Sequence, residues 1–196
     1  MSTPEICHFS LPESASLPAD IKSRMDAVQE KAGFIPNVMH VLSRRPEEFR
    51  AFFAYHDALM EGDSGLSKAE REMIVVATSA INHCPYCVIA HGAILRIRAR
   101  NPLIADQIAT NYKSADISAR ERAILDFAVK VATAASDVSE SDRDAALAQG
   151  LSDEDLWDIA SITAFFAMSN RLASASGMRP NEEFYTMGRA PAPART

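Results

Sequence analysis

Apolar residues recur three and four positions apart along most of this chain, the period of a helix with one buried face. Ile21, Met25 and Val28 mark such a face over Ala19 to Ala32, and Gly33 ends it. Pro36 to Leu42 reads as a short helix, and Pro46 to Met60 as a longer one carrying Phe49, Phe52, Phe53 and Leu59. Gly62 and Gly65 close that segment. Ser67 with Glu70, and Ser118 with Glu121, match the S-x-x-E pattern of a reciprocal helix-start cap. The first predicts a helix running to about Asn82; the second predicts one to Ala134, with Ile124, Leu125, Phe127, Ala128 and Val131 in helical period. Pro85 opens a helix to about Arg100, which Asn101-Pro102 breaks, and a short helix follows to about Thr110. Ser139 to Gln149 and Asp153 to Ala175 complete the series, the latter capped by Ser152 with Asp155 and ended by Gly177 and Pro180. No run alternates apolar and polar residues as a half-buried strand would. The pattern predicts an all-α, multi-helix bundle.

The two capped starts align as SKAEREMI and SARERAIL, which predicts an internal helical repeat. In the second copy Ala123 stands where the first has Glu72, and no cysteine pair follows, so one copy alone is equipped for chemistry. The segment Asp153 to Ala175 is apolar nearly all round, with small residues at Ala160, Ser161, Ala164, Ala167 and Ser169. Such a helix is buried against a close neighbour or a second subunit, and a homo-oligomer is expected. One helical domain is expected over 18–188, preceded by an extended arm over 1–17 and followed by a flexible tail over 189–196.

Chemistry concentrates between Glu72 and His91, EMIVVATSAINHCPYCVIAH. With Pro85 at the first helical position, Cys84 falls at the N-cap, Cys87 in the first turn and His91 one turn on, all in one stripe. Residues three apart on a helix bring their Cα atoms to roughly 5 Å, within the range a disulfide accepts. A helix N-terminus favours a thiolate through its free N–H groups and dipole. If the preceding helix folds back antiparallel, Glu72 and His91 reach similar heights, about 16 and 12 Å from the corner at 1.5 Å per residue. Glu72 could then fix the tautomer of His91, and His91 exchange a proton with Cys87. Two other readings of the cysteine pair stand beside this one: a buried structural pair, and a zinc site that needs His83 as fourth ligand. Haem attachment is excluded, because Val88 and not histidine follows Cys87. Cys7-His8, His40 and His56 read as packed or surface residues, and Arg96, Arg98 and Arg100 as cations suited to a helix C-terminus.

Bulk properties narrow the setting. The 196 residues carry a net charge of −6, which argues against nucleic acid and anionic membrane as partners. Three cysteines, two of them a CxxC, fit a reducing cytoplasm and a redox-active pair better than a secreted disulfide framework. The start MSTPEICHFS has no signal pattern, and Ile159 to Met168 is too short to span a bilayer. No cofactor and no metal are implied.

The set Glu72, Ser79, Asn82, Cys84, Tyr86, Cys87 and His91 resembles the signature of the alkylhydroperoxidase D / carboxymuconolactone decarboxylase family, in its peroxidase-related branch. GFIPN (Gly33 to Asn37) and GLSKAERE (Gly65 to Glu72) extend the likeness. The resemblance implies an all-helical, oligomeric thiol peroxidase acting on hydroperoxides and recycled by an external dithiol. It gives the attack on peroxide to Cys87, resolution to Cys84 and the proton relay to Glu72 and His91. Tyr86, Ser79 and His83 are accessory candidates; Tyr86 occupies a position where the family's classical members carry histidine. Two alternatives remain: a redox-responsive binding or regulatory module without turnover, and a decarboxylase-type member, against which the CxxC argues.

Overall fold

The computed structural model describes residues 6–189, and among them every regular element is helical. The α-helices are α1 (Ala19–Ala32), α2 (Asn37–Leu42), α3 (Pro46–Glu61), α4 (Lys68–Ile81) and α5 (Pro85–Ala99). They continue with α6 (Ile104–Asn111), α7 (Ala119–Ala134), α8 (Glu140–Leu147), α9 (Asp153–Ser176) and α10 (Glu183–Thr186). The four-residue α10 has no counterpart in the sequence reading, because one turn is too short to show a period. It is docked by Arg96, whose buried guanidinium donates to the carbonyls of Phe184 and Met187, both at 2.8 Å. That cation therefore serves a tertiary contact rather than the end of its own helix.

α4 is the axis of the bundle. Residues Glu70 to Ser79 are buried without a break, and α5, α6, α7 and α9 surround them. Met73, Ile74, Val75 and Val76 meet Leu95, Ile108, Ile124, Leu125, Ile159 and Phe166 in the main core. Residues at such sites typically cost about 2–5 kcal/mol when cut to alanine. Both aligned helix starts carry the expected reciprocal caps: Ser67 with Glu70 on α4, and Ser118 with Glu121 on α7.

α9 is buried on one side only. Trp157, Ala164, Met168 and Leu172 form an exposed apolar stripe along the other, with Trp157 71% exposed. The described part of the N-terminal segment is pinned. His8 N–H donates to Ser176 O at 2.8 Å, Arg179 N–H to Ile6 O at 3.0 Å, and Cys7 is buried. Gly177 is required there: it caps α9 with φ +63, and any Cβ would lie 2.2 Å from the His8 ring. The tail's residues 190–196 lie outside the described residues. Arg189 pairs with Asp106 at 2.8 Å.

Candidate active site

The corner between α4 and α5 builds the site. Asn82 ends α4, and His83 then takes a left-handed conformation with φ 51, a costly backbone state for a non-glycine residue. That turn reverses the chain within two residues and brings in Cys84 as N-cap of α5, with Pro85 behind it. α4 and α5 run back along each other, so Glu72 and His91 come level. His91 Nδ1 donates to Glu72 Oε2 at 2.8 Å, and Glu72 is 2% exposed. With Nδ1 holding the proton toward the carboxylate, Nε2 is left as the basic nitrogen. Phe166 of α9 sets the ring plane by an edge contact, centroids 4.7 Å apart.

Glu72 has a second partner. Arg98, two turns beyond His91 on α5, brings Nη1 to 3.3 Å from Glu72 Oε1 and also pairs with Glu61. A positive group at that distance offsets part of the cost of enclosing a carboxylate. The helix-end reading of Arg98 overlooked this, because its partners lie on α3 and α4.

The cysteines are both buried and unequal. The Cys84 thiol is lowered to about 6, first because Cys87 donates to its sulfur, then because the N–H groups of Cys87 and Tyr86 and the hydroxyl of Ser174 do too. The Cys87 thiol is pushed well up, first by serving as that donor, then by burial and by the charge on Cys84. The two thiols are therefore pushed in opposite directions, Cys84 down and Cys87 up. Cys87 also touches the side chains of Asn170 and Ser169 on α9. His91 lies one turn from Cys87 on the same face, and the hydrogen bond it makes is to Glu72.

Asn170 is the residue the sequence reading missed. It is buried, accepts from Asn82 Nδ2 at 2.9 Å and donates to Ser79 Oγ at 2.9 Å. It thus ties the end of α4 to α9 directly behind Cys87. The available signal was an asparagine inside an otherwise apolar helix, since a buried amide has to be satisfied. Ser79 also fixes Cys84, whose N–H donates to Ser79 O at 3.0 Å.

Tyr86 is buried, and its phenol oxygen accepts the Val38 N–H at 3.1 Å, which ties α5 to the start of α2. Burial raises its hydroxyl well above the usual range. His83 is exposed and lines a groove with Cys84. His56 on α3 is packed among Phe53, Phe165 and Phe166, with Nδ1 3.1 Å from Asp57 Oδ1. Its pKa is lowered, chiefly by burial.

Two hollows larger than the Cys84 groove lie elsewhere, one of 500 Å³ between α7 and α8 and one of 540 Å³ beside Asn37 and Asn181. Neither is lined by a cysteine or histidine. Among the described residues, no group of three or more His, Cys, Asp or Glu has metal-holding geometry, and no helix is long and apolar enough to cross a membrane.

Residues 46–102, which hold α3 to α5 and all of the site's α4–α5 corner, match the carboxymuconolactone decarboxylase family. No curated protein matches the chain. Among solved structures, the chain is similar to the alkylhydroperoxidase AhpD core, an uncharacterized peroxidase-related protein from Ralstonia eutropha JMP134. The two share 60% identity over 97% of this chain and 100% of that one, with a TM-score of 0.95. An uncharacterized peroxidase-related protein from Silicibacter sp. TM1040 shares 41% identity over 96% of this chain and 99% of that one, with a TM-score of 0.91. The debrominase Bmp8, in complex with 2,3,4-tribromopyrrole, has the same fold at 17% identity, covering 95% and 96% of the two chains with a TM-score of 0.72. The length and identity of the first two matches, with the family match over the cysteine-bearing corner, establish that the chain belongs to the alkylhydroperoxidase D-like / carboxymuconolactone decarboxylase family.

Proposed function

We propose that the protein is a thiol-dependent peroxidase that reduces hydroperoxides through Cys84 and Cys87, with Glu72 and His91 as the proton relay. The observation that carries this reading is the 2.8 Å bond between His91 and buried Glu72, one helical turn from a cysteine pair at a helix N-terminus. A carboxylate-held imidazole beside a polarised thiol is the arrangement that proton transfer to and from sulfur requires.

The chemistry takes two steps. A thiolate attacks the distal peroxide oxygen, the O–O bond breaks, and the leaving alkoxide takes a proton to depart as alcohol; the sulfur becomes a sulfenic acid. The second sulfur, deprotonated toward His91, attacks the first and releases water, leaving a disulfide. An external dithiol then supplies two electrons and two protons to restore both thiols. The family resemblance gives the first attack to Cys87. The groove that Cys84 lines, and the lowering of its thiol, favour the opposite order: Cys84 attacks and Cys87 resolves. In that order His91 acts on the Cys87 proton in the second step.

The apolar stripe Trp157, Ala164, Met168 and Leu172 supports assembly into a homo-oligomer, since an exposed apolar face of this length is a typical subunit contact. A cytoplasmic setting suits a pair that must be re-reduced. One observation favours a second reading. Both cysteines are 1% exposed, which suits a redox-responsive module whose disulfide alters a surface without turnover. Multiple turnovers of an organic hydroperoxide with a supplied dithiol support the peroxidase; consumption that stops after a single equivalent supports the module.

A further inference from the structure

Cys84 and Cys87 are equally enclosed, at 1% exposed each, but only one of them borders a groove. Cys84 lines a groove of 350 Å³ between the start of α5 and the end of α9, and Cys87 does not. His83, Ser174, Met178 and Arg179 are among its walls, and no carboxylate lines it. His83 and Arg179 are exposed, and among the described residues no carboxylate pairs with Arg179. Cys84 is the N-cap of α5, at the positive end of that helix's dipole. Arg179 is therefore the one formal charge among the groove's walls, it is positive, and it shares them with the Cys84 sulfur. Glu182 and Glu183 line the neighbouring hollow with Arg179 and lie outside this one.

We propose that this groove admits the thiol that reduces the Cys84–Cys87 disulfide, that Cys84 is the sulfur attacked, and that Arg179 selects thiols bearing a carboxylate. The inference rests on the redox pair proposed above. The incoming thiolate forms a bond to Cys84 Sγ, the Sγ–Sγ bond breaks, and its electron pair leaves on Cys87, which takes up the proton that the incoming thiol gave to solvent on ionising. A second thiol group then attacks the donor's own sulfur in the mixed disulfide, forming the donor's disulfide and releasing Cys84 as thiolate. The donor loses two electrons and the protein gains two.

The test uses the whole chain and no peroxide. Protein oxidised with diamide is mapped for the Cys84–Cys87 disulfide, then reduced by 3-mercaptopropionate, 2-mercaptoethanol or 2-aminoethanethiol, with rates compared per thiolate. The anionic thiol is expected to exceed the cationic one by about tenfold at low salt, the scale of a steering field from one or two charges, and the gap should close as salt rises. Arg179→Gln should shrink the ratio severalfold and Arg179→Glu should invert it; the side chain is exposed, and circular dichroism checks that the fold is kept. Equal per-thiolate rates in the unmodified protein, or an order that survives Arg179→Glu, would overturn the selection. Faster adduct formation by 3,3′-dithiodipropionate on Cys87 of Cys84→Ser than on Cys84 of Cys87→Ser would overturn the assignment of the attacked sulfur. If diamide forms no Cys84–Cys87 bond at all, the redox-pair reading itself falls.

Discussion

Glu72 and His91 stand nineteen residues apart in sequence and meet at 2.8 Å across the α4–α5 corner. The contact holds the imidazole in one tautomer and leaves Nε2 to receive a proton. If this relay draws the Cys87 proton, its members act as a unit and their losses do not add. His91→Ala should slow closure of the Cys84–Cys87 disulfide by about tenfold, the scale of roughly one unit of lost thiolate stabilisation. Glu72→Gln should do the same more weakly, and the double variant should be little worse than His91→Ala. Stopped-flow kinetics of disulfide formation would show it; unchanged rates in both single variants would return Glu72 and His91 to a structural role.

The pH dependence should belong to Cys84. Its thiol is lowered to about 6, first by the Cys87 thiol beside it and then by the N–H groups at the start of α5. Reactivity toward iodoacetamide should therefore rise through about pH 6 and flatten above it, falling again only as acid reprotonates the sulfur. An unperturbed thiol, ionising at about 8.5, would still be climbing at neutral pH. A Cys84→Ser variant should lose the low-pH limb, since burial raises the pKa of the Cys87 thiol that remains.

Asn170 should be costly to remove. Asn170→Ala leaves the amide of Asn82 and the hydroxyl of Ser79 without their partners at the end of α4. A loss of about 1–3 kcal/mol is expected from unsatisfied buried polar groups. Thermal unfolding measures this. Equal unfolding midpoints for Asn170→Ala and the parent chain would contradict the bracing role.

Much of this site was legible in the sequence, for a definite reason. The CxxCxxxH stripe, the proline start and the S-x-x-E cap are local features, and local features fix which residues share a helix face. The height match between Glu72 and His91 needed one further assumption, an antiparallel corner, which Asn82 and Pro85 supply. Asn170, Arg98 and Ser174 were not legible, because each reaches the site from a helix packing or register that no local pattern encodes. The fold shows the same division. The boundaries of α1, α4 and α7 follow from caps and glycine, whereas the centrality of α4 emerges only from packing. The apolarity of α9 was legible, but not that its face bearing Trp157, Met168 and Leu172 lies exposed while the opposite one packs on α4 and α7.

That stripe carries its own expectation. Sedimentation at micromolar concentration should show an oligomer, and Met168→Glu with Leu172→Glu should shift it toward the monomer while circular dichroism stays unchanged. A parent chain that sediments as a monomer would remove the homo-oligomer.

The central claim is that peroxide oxidises this cysteine pair, and a single-turnover experiment tests it most directly. Reduced protein is mixed with an equivalent of organic hydroperoxide, then quenched and mapped by mass spectrometry while the alcohol is quantified. The account expects alcohol to appear in step with the Cys84–Cys87 disulfide, Cys7 to stay unlinked, and Cys87→Ser to stop at a sulfenic acid on Cys84. Peroxide that survives with both thiols intact, or alcohol formed while Cys84 and Cys87 remain reduced, would contradict it.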